Sequence, residues 1–154
     1  MGSSNPVFNW LPCAVVFITT AHGGRRDIMT ATAMFVSEKE PLIAISVADG
    51  HLTEKLIGAS GKFTAVIAGE GQKKLAAQVG SVKGEDVDKF EKFAIQTDKN
   101  LVPVGSAAWF ACTVVKTIEI TGYRIVIGRI LDQVELDEHP LIWRKNTFFS
   151  LNPV

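Results

Sequence analysis

The stretch Arg26-Asp27-Ile28-Met29-Thr30-Ala31-Thr32-Ala33-Met34-Phe35-Val36-Ser37 is the most informative in the chain. Its middle, Met29–Val36, reads as a β-strand, yet small and hydroxylated side chains (Thr30, Ala31, Thr32, Ala33) sit where strand propensity alone favours larger ones. Small side chains let a flat ligand lie close to the backbone, whose N–H and C=O groups can bond its polar edge. An ordinary strand with alanines packed against a helix fits the same residues. Composition leaves both readings open.

Working outward, β-branched runs punctuated by Gly and Pro continue on both sides. Ala14–Thr20 is a predicted strand, followed by a turn at Ala21-His22-Gly23-Gly24. Glu40-Pro41 interrupts, and Leu42–Ala48 is a strand apolar on both faces, so both are buried or one lines a cavity. A short helix near Thr53–Ala59 precedes a strand at Lys62–Ala68. Gln72–Val79 has helical spacing and stops at Gly80, a normal C-terminal cap residue. Glu85–Phe93 opens with acids and carries Val87, Phe90 and Phe93 on one side with Lys89 and Lys92 late, which predicts an amphipathic helix matched to its dipole. After a loop at Asp98–Gly105, the long strands Ala107–Ile120 and Tyr123–Leu136 form a hairpin through Thr121-Gly122, with Gly128 as a bulge or close-approach point. Pro140–Ser150 supplies one more short strand. Six or seven antiparallel strands with three short inserted helices, and few charges on either strand face, predict a closed or nearly closed barrel, because closure removes exposed edges. The expected class is α+β, mainly β, in one domain over residues 1–154.

Composition supports a packed domain and little else. The 154 residues carry 16 Lys+Arg against 16 Asp+Glu, with 47% apolar residues. Such a chain is not disordered, and zero net charge argues against nucleic acid as a partner. Cys13 and Cys112 lie in apolar runs and read as buried free thiols rather than a disulfide framework. Met1–Pro6 has no Lys or Arg and no apolar core, so no secretory signal is expected there, and a cytoplasmic setting is the default. The longest apolar run, Cys13–Ile18, is far short of the ~20 residues that cross a bilayer, so no membrane association is expected. His22, His51 and His139 are scattered outside any ligand spacing, so no protein-bound metal is expected. Nucleophile-elbow, Walker and GxGxxG patterns are all missing.

A second stretch, Val47-Ala48-Asp49-Gly50-His51-Leu52-Thr53-Glu54-Lys55, runs from a buried strand through a turn into a helix. Free N–H groups at the helix start, with the Thr53 hydroxyl and His51 or Lys55 beside them, make a phosphate cradle. A plain cap by Thr53 or Asp49 fits equally well.

Together the two stretches resemble the flavin reductase-like family of FMN-binding split barrels, which includes flavin reductase components of two-component monooxygenases and flavoredoxins. The resemblance rests on ordered spacing: Val15–Thr20, Gly23-Gly24, Asp27-Ile28-Met29-Thr30-Ala31-Thr32, Ser37, Pro41–Val47, then Thr53-Glu54-Lys55-Leu56-Ile57-Gly58-Ala59-Ser60-Gly61-Lys62-Phe63. It continues through Asp88-Lys89-Phe90, Ala111–Val114, Ile125–Ile130 and Pro140-Leu141-Ile142-Trp143 and covers nearly all the chain.

The resemblance implies an antiparallel split β-barrel with a few short inserted helices and FMN as cofactor. Asp27 and Met29, Thr30, Ala31 and Thr32 then flank the isoalloxazine ring. Ser37 and Ser46 lie near the ring or ribityl chain, and His51 and Thr53 hold the phosphate. It further implies a homodimer, with partner-chain residues around Trp143 completing the site. The implied activity is an NAD(P)H:flavin oxidoreductase, in which NADH or NADPH delivers hydride to FMN N5 and a monooxygenase or other acceptor protein takes the electrons. No side chain is expected to act as acid or base. Alternatives are a flavoredoxin-type electron carrier reduced by a protein partner, and a barrel that has lost its cofactor and serves as a binding module. Two departures stand out. Asp27 replaces the family's common Asn, and Arg25 or Arg26 is expected to neutralise it. Tyr123 replaces the His that many reductases associate with the nicotinamide.

Overall fold

The computed structural model describes residues 10–154. Its strands are β1 (Cys13–Ala14), β2 (Val16–His22), β3 (Arg25–Ala31), β4 (Ala33–Ser37), β5 (Leu42–Ala48), β6 (Lys62–Ile67), β7 (Ala108–Ile120), β8 (Tyr123–Glu135), β9 (Leu141–Arg144) and β10 (Thr147–Ser150). Helices α1 (Leu52–Ser60), α2 (Lys73–Gly80) and α3 (Lys89–Lys92) lie between β5 and β7. No helix of the described residues is long and apolar enough to cross a membrane.

Seven strands make one antiparallel sheet in the order β3-β2-β6-β7-β8-β5-β4, and β1, β9 and β10 form a small second sheet. β3 and β4 follow one another with only Thr32 between them, yet they are the two outermost strands of the large sheet. A sheet whose outer strands are joined by one residue has to curl until its edges meet. The result is a cylinder with a seam at Thr32, a split barrel. The single strand expected over Met29–Val36 is therefore two strands, because the chain changes pairing partner at Thr32, from β2 to β5.

Alternation along β2 shows why the barrel sequences are apolar on both faces. Val16 and Ile18 point inward among Ile43, Ile45, Phe63 and Val126, while Val15 and Phe17 join an outer core with Ile28, Val79, Phe90 and Trp109. The outer core lies under α2, α3 and the small sheet. Gly128 is a close-approach point: a Cβ there would stand 2.5 Å from Phe63 Cζ and 2.9 Å from Cys112 Cβ. The neighbouring bulge lies on the partner strand, between Val114 and Lys116. Thr121 and Gly122 turn the long hairpin with φ of 42° and 80°, a conformation that favours glycine.

Three other local expectations change. α2 runs through Gly80 to Ser81, which closes it in right-handed conformation, so Gly80 is not a left-handed cap. Only Lys89–Lys92 of the expected Glu85–Phe93 helix is helical, because the Asp88 carboxylate caps it by accepting from Phe90 N–H at 2.9 Å. Pro140–Ser150 gives two strands, β9 and β10, since Lys145 and Asn146 both take positive φ and reverse the chain.

Candidate functional site

The seam is where backbone hydrogen-bonding capacity is left over. Val15 C=O accepts from Ala68 N–H on the β6 side, so Val16, Ile18 and Thr20 turn their backbone groups towards β3. Their partners Ala31, Met29 and Asp27 are consumed in the ladder, and Ile28 and Thr30 face outwards. The Ile28 carbonyl confirms this alternation, since it accepts from Lys89 Nζ at 2.8 Å. The N–H and C=O of Thr30 therefore face the seam, and no described side chain or loop bonds them.

A mostly apolar cleft of about 320 Å³ opens there, lined by Ala14, Thr30, Ala31, Thr32, Ala76, Trp143 and Phe148 among others. Its floor is flat because the strand carries small side chains and α2 presents Ala76 and Ala77. Thr30 Oγ donates to the Ala76 carbonyl at 2.9 Å, which ties α2 to the strand and leaves the Thr30 backbone free. This chain's own Trp143 reaches the cleft from β9. Ala76, Ala77 and Phe148 carried no signal in the sequence beyond ordinary helix and strand composition.

Asp27 lies three residues upstream of Thr30 on β3 and is 3% exposed. Its Oδ2 accepts from Thr53 Oγ at 2.7 Å. Its Oδ1 is 3.6 Å from Lys89 Nζ and has no hydrogen bond, so the ammonium neutralises it across a longer gap. The expected neutralisation by Arg25 or Arg26 is not made. Arg25 is exposed, and Arg26 instead donates to Asp88 Oδ2 at 3.0 Å and lies 4.6 Å over the Phe90 ring. Lys89 does the work because α3 brings it under the strand, a placement that its apparent role as a late helix cation did not reveal.

The remaining expected residues are spread over neighbouring surfaces. Met29 packs into the inner core. Ser37 ends β4 at its bulge opposite Leu42, and Ser46 is half-buried on β5 opposite Ile125. His51 is the exposed N-cap of α1 and makes no side-chain cap bond. Neither Thr53 nor Asp49 caps that helix: the Thr53 hydroxyl is spent on Asp27, and Asp49 accepts from Arg124 Nε at 2.8 Å. The first intrahelical bond runs from Lys55 N–H to the His51 carbonyl, so the N–H groups of Leu52, Thr53 and Glu54 remain unspent by the helix. A second, wider cleft of about 610 Å³ lies at this end of the barrel between the β2–β3 turn, Leu52 and residues 84–88.

Tyr123 starts β8 at the hairpin tip and is 52% exposed. Next to it Arg124 bridges three carboxylates, Asp49 at 2.8 Å, Glu54 at 3.0 Å and Glu119 at 3.1 Å. Its bond to Asp49 and the surrounding acids raise its pKa above the ordinary arginine value. In the inner core, burial pushes the Cys112 thiol up to about 12, which leaves it protonated and inert.

The chain belongs to the flavin reductase like domain family, whose profile matches residues 8–152. It is 33% identical over 113 residues to the uncharacterized protein YddH of Escherichia coli (strain K12), an alignment that covers 69% of this chain and 60% of that relative. Among solved structures, the Streptomyces globisporus C-1027 NADH:FAD oxidoreductase SgcE6 superposes with a TM-score of 0.84, at 21% identity over 96% of this chain and 91% of that one. Flavoredoxin from Methanosarcina acetivorans gives 0.82, at 19% identity over 100% and 91%. Both share the split-barrel fold.

Proposed function

We propose that the seam cleft binds the isoalloxazine ring of FMN and that the protein is an NAD(P)H:flavin oxidoreductase. The observation that carries this is the pairing of a flat apolar cleft with an unpaired strand edge at Thr30. The cleft's mostly apolar walls, Trp143 among them, suit the ring faces, and the Thr30 N–H and C=O offer a donor and an acceptor to the pyrimidine edge. Met29, Ala31 and Thr32 frame the same strand, Ser37 and Ser46 serve the ribityl side, and His51 with the first N–H groups of α1 takes the phosphate. Asp27 and Thr53 support these contacts from inside the barrel end. Bound there, a flavin supplies a hydride acceptor at N5 for NADH or NADPH. The chain binds, orients and shields it, with no side chain assigned a proton-transfer role. An absorption spectrum of purified protein, with titration of FMN and FAD by fluorescence quenching, tests the binding. Anaerobic mixing with each nucleotide tests the activity: bleaching at about 1 s⁻¹ or faster, the scale of ordinary turnover, is expected. No bleaching over minutes would reject it.

Tyr123 favours a second reading, a flavoredoxin-type carrier reduced by a protein partner, since it stands where many reductases hold a His. A flavin that stays bound yet resists both nucleotides would select this reading. A protein that quenches neither flavin would instead be a cofactor-free binding module.

The free edge of β4 exposes Met34, Phe35 and Val36, an apolar strip suited to a second copy of the chain in a homodimer. Phe35→Glu should then lower the mass seen by analytical ultracentrifugation to that of a monomer. On this reading a monooxygenase or other electron-accepting protein takes the electrons of the reduced flavin, in the cytoplasm.

A further inference from the structure

We infer that Lys89, through Asp27, is a positioning residue that sets the ligand-binding edge of β3; this rests on the flavin reading of the cleft only for its ligand arm. Three consecutive residues of the α3 entry grip three consecutive residues of the strand. Asp88 holds Arg26 at 3.0 Å, Lys89 holds Asp27 and the Ile28 carbonyl, and Phe90 lies under the Arg26 guanidinium. The grip covers the outer edge of β3 as far as Ile28 and stops. The next outward-facing residue is Thr30, whose N–H and C=O are left to the cleft.

Lys89 is well placed to control that edge. It is 5% exposed, and the carbonyl it bonds lies on the same edge as the Thr30 groups, one pleat repeat away. A buried ammonium is held in place by the carboxylate beside it, because either charge alone would be strongly disfavoured at such burial. Asp27 in turn is fixed by the Thr53 hydroxyl and by Gly84, where a Cβ would meet the carboxylate at 2.5 Å. Strand, helix α1, helix α3 and the 84–88 loop therefore converge on one ion pair. Twist of the β3 edge, and with it the direction of the Thr30 donor and acceptor, is set from that point.

The test is the double substitution Asp27→Asn with Lys89→Met, which removes both charges and the bond to Ile28 while stranding no buried ion. Two readouts are compared with wild type at matched thermal stability. Amide exchange of Asp27, Met29 and Ala31, whose N–H groups the β2 ladder protects, measured without flavin, should speed up about tenfold, with β6 unchanged as internal control. The FMN dissociation constant should rise about tenfold or more. A folded double variant with wild-type exchange at β3 and wild-type FMN affinity would overturn the inference. A variant that loses thermal stability and exchanges faster throughout would also overturn it, since that marks a structural prop alone. If wild-type protein takes up neither FMN nor FAD, the flavin assignment of the cleft fails, and local exchange at β3 still decides the role of Lys89. Should the double variant not fold, Asp27→Asn with Lys89→Gln, which keeps an acceptor for Thr53 and a neutral donor near Ile28 while stranding no ion, is put through the same comparison.

Discussion

The chain contains two ionic clusters built from similar groups in opposite surroundings. At the hairpin tip one guanidinium meets three carboxylates, all at 3.1 Å or less, in reach of water. Under β3 one ammonium meets one carboxylate at 3.6 Å, with both side chains at most 6% exposed. Counting contacts ranks the first cluster higher. Dielectric surroundings rank the second far higher, because water screens exposed pairs and leaves a buried one to dominate its neighbours. On this argument burial, and not the number of partners, decides which single charge is most costly to remove.

The strongest way to break that comparison is Lys89→Met alone. It leaves Asp27 as an uncompensated buried charge and should cost about 3–5 kcal/mol in urea unfolding. A loss below about 1 kcal/mol, the scale of a surface pair, would refute the ranking. Next comes Gly84→Ala, which drives a methyl against the Asp27 carboxylate. Overpacking of this kind should destabilise by about 1–3 kcal/mol without altering any charge. If its effect is absent, the loop is not pressed onto the ion pair.

A third effect, seen only at alkaline pH, concerns a neutral buried group. The Cys112 thiol has its pKa raised from 9.0 to about 12 in the folded chain, so the folded state holds that proton more tightly than the unfolded state. Its contribution to stability is complete below pH 9.0 and declines as pH climbs towards about 12. Wild type should therefore lose more stability than Cys112→Ala across that window, and a thiolate-directed alkylating agent should leave folded Cys112 unmodified at pH 8. Equal slopes for the two proteins would contradict the burial effect. The smallest effect is expected at Arg124→Ala, which should leave the thermal midpoint within error of wild type in both low and high salt. A clear drop there would erase the distinction between the clusters.

Legibility in the sequence followed how local each cause was. Leu42–Ala48 was readable to the residue, because an unbroken apolar run bounded by Pro41 and Asp49-Gly50 has few other outcomes. The long hairpin was readable from Thr121-Gly122 between two apolar runs, because Gly122 takes the positive φ of a tight turn without steric cost. Thr30–Thr32 announced themselves by being small where a strand wants bulk, and they do line the seam cleft. By contrast, Lys89 looked like a dipole-complementing surface cation. Its burial depends on α3 docking against β3, sixty-odd residues back along the chain, as the separation of its bond to Ile28 records. The strand break at Thr32 was invisible for the same reason: it comes from a change of partner between β2 and β5, and each half alone is a good strand.

The sequence by itself determined that this is a mainly β barrel, where most of its strands lie, and that one strand is unusually bare. Those properties follow from side-chain size, backbone preference and apolar alternation over a few residues. Tertiary structure decided that the bare strand is the barrel's seam, that its outer edge is half covered and half open, and that a lysine neutralises Asp27. These depend on which distant segments come into contact, and a backbone group is free or spent only once every neighbour is in place.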